Sequence, residues 1–197
     1  MRPFDGAILF AAGQEAALAG DLDRAWQLWR ASFQAGSSHQ ERLLNALAGQ
    51  IPAATLIELL QPGLAGLSTI VSYYQKHPSG DNLSQALRQY AAACEREARS
   101  KTAQQASEAW IRAANAYRDL GRQAEAIRCL REAVRCGPFC FEARLLLGSC
   151  LLESKDFDEA VGNLQWCAQQ NPRDRTAQRD LERAMDGQLR GKGPANQ

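Results

Sequence analysis

The sequence predicts an all-α fold: an α-solenoid of stacked antiparallel helical hairpins ending in a C-terminal capping helix. Three observations carry this. Trp110, Ala113, Ala114, Tyr117, Ala126, Leu130, Ala133 and Pro138 are answered 34 residues later by Arg144, Leu147, Gly148, Leu151, Ala160, Leu164, Cys167 and Pro172. A fixed period of that length marks hairpins too small to bury an apolar face alone, which do so by stacking. Apolar residues make up 45% of the chain and aromatic residues only 7%, and alanine and leucine, good helix formers, dominate the apolar set. Finally, small residues recur in pairs: Gly13 with Ala25, Ala114 with Ala126, and Gly148 with Ala160. Such pairs are needed where two helices cross too closely for a larger side chain.

The elements follow in order. Residues 6–39 carry Leu9, Ala12, Gly13, Ala16, Gly20, Asp21, Ala25, Trp29 and Ser32 at the places of the recurring pattern, without a closing proline. Residues 40–106 lack the recurring residues but offer room for two hairpins. Helices are predicted over 41–50, 52–61, 64–76 and 81–103, with Pro52 at a helix start and Gln61-Pro62-Gly63 and His77-Pro78 as breaks. The last of these helices is predicted to run on toward Ala106, because neither glycine nor proline interrupts it.

In 107–140, Ala109, Trp110, Ala113, Ala114, Tyr117 and Leu120 keep a helical spacing to the stop at Gly121. Ala126, Ile127, Leu130, Ala133 and Val134 continue it to Gly137-Pro138. Residues 141–174 repeat the plan, with a first helix over 145–152, a capping box formed by Asp156 and Glu159, and a close at Asn171-Pro172. Residues 173–189 are expected to form a polar capping helix. Residues 1–189 thus read as one array, and 190–197 as a frayed tail, the expected junction if the chain is part of something longer.

The early aromatic, the small pair, the tyrosine, the mid-unit alanine and the terminal proline together resemble the tetratricopeptide repeat family, most closely over 107–174 and again at 6–39. The resemblance implies a non-enzymatic adaptor whose first helices line a concave groove that holds a peptide or helical segment of a partner. Removing the packed positions from the first helix leaves Glu108, Arg112, Asn115 and Asp119 as one polar stripe. One period later the stripe is Glu142, Leu146, Ser149 and Glu153, and in the first copy Ala7, Ala11, Gln14 and Leu18. Arg112 could fork onto a partner's carboxylate and Asn115 could bond its backbone, although Ile111 and Leu145 stand where a carboxylate clamp would want polar donors. The plain alternative is a solvated face with an ion pair from Glu108 to Arg112.

The remaining features narrow the function. The net charge of +1, from 23 basic and 22 acidic residues, gives no general attraction for polyanions. Arg128, Arg131 and Arg135 share one helix face and Arg175, Arg179 and Arg183 another, but acidic neighbours dilute both and no aromatic ladder accompanies them, so an RNA-binding helical repeat is only a second alternative. The six cysteines (94, 129, 136, 140, 150 and 167) sit among alanines and leucines as small hydrophobes. Cys136 and Cys140 have zinc-pair spacing, yet no second pair or histidine lies near them in sequence, so no metal and no cofactor is expected. No phosphate loop, HExxH or GxSxG is present, and His39 reads as a surface turn residue. No small-molecule substrate and no membrane span are expected, the run 7–13 between Asp5 and Glu15 makes a poor signal peptide, and the expected location is the cytoplasm. A docking module of a larger enzyme is the first alternative, and self-association through terminal hairpins a further one.

Overall fold

The computed structural model describes residues 5–191, which form eleven α-helices and no strand. The chain divides into two compact units, Met1–Tyr90 and Ala91–Gln197. Among the described residues, no helix is long and apolar enough to cross a membrane.

The first unit holds α1 (Gly6–Leu18), α2 (Leu22–Ala35), α3 (Ser37–Leu47), α4 (Ala53–Leu60), α5 (Leu64–Lys76) and the start of α6 (Asn82–Ser100). Asp5 and Asp21 cap α1 and α2 by accepting from the amides of Ala7 (3.0 Å) and Arg24 (3.1 Å). These bonds satisfy donors that a helix start otherwise leaves unpaired. Between the two helices Gly20 takes a left-handed conformation (φ 83°). A side chain at Gly13 would collide with Trp29, so the glycine is the notch that lets the hairpin close. Phe33, Leu43, Leu44, Leu56, Leu60, Ile70 and Tyr74 form the fully buried centre of this unit. Pro52 has no side-chain oxygen to cap α4; Asn82 and Gln85 of α6 accept from the amides of Ala53 (2.8 Å) and Ala54 (3.0 Å) instead. His39 lies in the first turn of α3, half-buried against Gly6, rather than in a surface turn.

The second unit holds the rest of α6, then α7 (Ala103–Asp119), α8 (Gln123–Cys136), α9 (Phe141–Glu153), α10 (Phe157–Gln170) and α11 (Arg175–Gly191). Ala114, Ala126 and Ala160 are fully buried, and a side chain at Gly148 would stand 2.5 Å from Leu164 Cγ. Gly121 (φ 70°) and, one period on, Lys155 (φ 62°) make the left-handed turns. Each hairpin of the recurring pattern is also pinned at its open end. Ser32 Oγ donates to the Gly6 carbonyl (2.7 Å), Ser107 Oγ to that of Ala133 (2.9 Å), and Cys167 Sγ lies 3.8 Å from that of Phe141.

Three expectations need correction. The helix predicted over 81–103 ends at Ser100, because Thr102 takes an extended conformation (ψ 161°) and starts α7; Ser100 Oγ donates back to the Glu97 carbonyl (2.8 Å) and closes the last turn of α6. The capping box at Asp156 is not formed, since Asp156 makes no side-chain cap bond and Glu159 accepts from Arg131 Nε (3.0 Å) of α8. The expected tail at 190–197 is helical through Gly191, and its remainder lies outside the described residues.

Candidate functional site

On α7 and α9 the stripe residues take the open side of their helices. Glu108 and Asp119 are exposed and Asn115 is half-buried, whereas Ala109, Trp110, Ala113 and Ala114 are buried on the opposite side. On α9, Glu142 and Glu153 are exposed and Leu146 and Ser149 half-buried. Three stripe members are already engaged. Arg112 donates through its guanidinium to Glu97 Oε2 of α6 (2.6 Å), so it is not a free fork for a carboxylate, and its ion pair is not with Glu108. Ser149 Oγ donates to Asp180 Oδ2 of α11 (2.9 Å). Glu153 accepts from the neutral amide of Gln123 (3.0 Å).

Beside Glu108 the stripe meets a cavity of about 450 Å³ between the start of α7 and the turn joining α8 to α9. Ala103, Cys136, Pro138, Phe139 and Cys140 give it mostly apolar walls, and Phe139 is 85% exposed. Cys136 and Cys140 are half-buried free thiols, while Cys94, Cys129, Cys150 and Cys167 are fully buried. Burial pushes the Cys129 thiol up to about 12 and that of Cys167 to about 11. Such groups stay protonated and behave as packing atoms. Among the described residues no group of three or more His, Cys, Asp or Glu side chains could hold a metal ion.

Sequence reasoning missed one polar centre. Glu95 of α6 is buried and accepts from Arg128 (2.6 Å), Arg99 (2.8 Å) and the Tyr117 hydroxyl (2.8 Å). Burial raises its pKa, but the bonds from Arg128 and Tyr117 and the charges of Arg128 and Arg99 outweigh that and hold it below the usual carboxylate range. Burial and the bond to Glu95 push Tyr117 up to about 12. A signal was available at a spacing of 35 rather than 34: the buried residues Ala91, Cys94, Glu95 and Ala98 of α6 match Ala126, Cys129, Leu130 and Ala133 of α8. α6 is therefore a second helix in which glutamate replaces the bulky apolar residue.

The arginine stripes are largely spent on carboxylates. Arg128 serves Glu95, Arg131 serves Glu159, Arg135 serves Glu132, and Arg179 and Arg183 serve the buried Asp180. Phosphate contacts would have to displace these pairs.

Comparison with known families matches residues 80–139 and again 111–165 to the tetratricopeptide repeat. That segment of the chain is similar to the tetratricopeptide repeat family. The match begins at the start of α6, in accord with the repeat register found there, and the hairpin at 6–39 lies outside it. No curated protein sequence matches the chain. Among solved structures, that of MamA protein is similar with a TM-score of 0.50 at 15% identity, covering 93% of this chain and 82% of that one. TTC0263, a thermophilic TPR protein in Thermus thermophilus, aligns with a TM-score of 0.46 at 18% identity over 93% and 99%. YrrB, a TPR protein with an unusual peptide-binding site, aligns with a TM-score of 0.43 at 15% identity over 94% and 87%. At the identity of the MamA alignment the likeness concerns the fold, a stack of helical hairpins.

Proposed function

We propose that the chain is a non-enzymatic protein-interaction module that holds an extended or helical segment of another protein along the α7 and α9 face. The observation carrying this reading is the contrast between the two sides of α7. Alanine-sized residues on one side are consumed by hairpin packing, while Glu108, Asn115 and Asp119 are left accessible with no structural task. Helical repeats of this family use such faces for binding, and binding surfaces are set by exposed side chains rather than by the fold. Half-buried Leu146 supplies apolar contact within the polar stripe.

A photocrosslinking residue placed at position 146 tests the reading against a control at Glu132 of α8, which is similarly half-buried. Partners captured at 146 and absent at 132 are the expected result. Equal capture at both positions, or at neither, defeats the assignment.

A further inference from the structure

We infer that the segment held on this face is cationic and carries one apolar anchor side chain, seated in the cavity between the start of α7 and the α8–α9 turn. The inference rests on the groove reading above and adds the chemistry of the partner. The first argument is charge. Glu108, Asp119, Glu142 and Glu153 are exposed along the two helices, and the cation of the stripe, Arg112, is bound to Glu97. The nearby Arg144 is held by the Pro138 carbonyl (2.7 Å), by Asn163 and by the face of Trp166. Exposed Arg118 adds one cation near Glu153, yet the carboxylates still outnumber the cations along the stripe, which favours lysine or arginine over aspartate or glutamate in a partner.

The second argument is the cavity. Its size suits a side chain, its walls are mostly apolar, and the Phe139 ring stands exposed at its rim on a turn stiffened by Pro138. Ser107 on the floor already donates to the Ala133 carbonyl, so the polar side chains left to a ligand are the Glu108 carboxylate and the Gln104 amide. An apolar side chain occupies part of the cavity and covers Phe139, while a flanking basic residue reaches Glu108. A hydrophobic pocket rimmed by charge of one sign selects a partner of the opposite sign with an apolar centre.

Three synthetic peptides of equal length test this by fluorescence anisotropy: a lysine- and arginine-rich peptide with a central leucine, the same peptide with serine for leucine, and an acidic peptide with the leucine. The full chain is compared with Glu108→Lys/Glu142→Lys and with Phe139→Ser, each checked for unchanged helical content by circular dichroism. Alkylation of Cys136 and Cys140 is read in parallel by mass spectrometry. The basic leucine peptide is expected to bind about tenfold more tightly than either of the others, and to lose about that factor in the double variant and at high salt. It is also expected to slow alkylation of both cysteines in the wild type and to lose its preference for leucine in Phe139→Ser. Tighter binding of the acidic peptide overturns the inference, as does basic-peptide binding that ignores Glu108→Lys/Glu142→Lys or leaves alkylation unchanged. Specific capture at position 146 of a partner without a basic segment overturns the inference alone, whereas failure of capture at 146 overturns the groove reading beneath it.

Discussion

The second helices α6 and α8 bury the same four positions with opposite chemistry. Four residues after its notch alanine, α8 places Leu130, fully buried; α6 places Glu95, also buried but ringed by Arg99, Arg128 and the Tyr117 hydroxyl. Leucine needs only a complementary surface. A carboxylate at the same depth loses its hydration, and it persists because three donors replace the water and two of them carry charge. The position therefore tolerates charge only where the neighbouring helices supply donors. The cost of exchanging the residues should depend on direction.

Leu130→Glu carries the largest expected effect. No ring of donors surrounds Leu130, so the exchange removes apolar burial and strands a carboxylate, a loss of about 4 kcal/mol or more, read as the collapse of the thermal transition of the intact chain. Next is Gly148→Val, whose Cβ would stand 2.5 Å from Leu164 Cγ; an overpacked notch should cost about 3 kcal/mol in denaturant titration. Gly162→Ala in α10, where an added Cβ meets nothing, should instead gain up to about 1 kcal/mol through helix propensity. A loss at position 162 equal to that at 148 would remove the packing argument.

Glu95→Ala should cost about 2 kcal/mol, because it leaves a cavity and unpairs Tyr117, although half-exposed Arg99 and Arg128 can return to water. Glu95→Leu imports the solution used by α8 and should cost less than half as much. A larger loss for leucine than for alanine would mean that the carboxylate, rather than the filled volume, holds α6 in place.

The smallest effects are in the pH profile. The folded pKa of Glu95 is depressed, so its contribution is complete above the ordinary carboxylate range and disappears as pH falls through the folded value. That part of the acid limb should flatten in Glu95→Leu. For Tyr117 the sign is reversed. The unfolded phenol ionises near 10.0 and the folded one near 12, so protons leave the unfolded chain first and stability falls as pH climbs between the two. Tyr117→Phe should abolish that alkaline loss, as followed by thermal melts across the interval.

The hairpins of 103–170 were legible because the period and the notch residues repeat there, and the buried alanines match the pattern residue by residue. α6 was not legible as a repeat helix for two reasons. Its register is offset by one residue, and its bulky apolar position holds glutamate. The break at 101–102 left no mark because it is made by the extended backbone of Thr102, not by glycine or proline. The helical face arithmetic gave the exposure of Glu108, Asp119, Glu142 and Glu153 on α7 and α9, while Arg112, Asn115, Leu146 and Ser149 are half-buried. It could not show that Arg112 is taken by Glu97, because that partner lies on another helix 15 positions upstream.

The offset between α6 and α7 has a consequence for how the chain tolerates length change. A residue added inside a helix swings everything after it by about 100° and would turn the buried side of α7 toward water. Here the helix is broken at Lys101 and Thr102, where the backbone is not helical, so the surplus position between the two repeats does not carry the phase of α6 into α7. That joint works as an expansion gap, and insertions and deletions in the second unit should be absorbed there before anywhere within its helices.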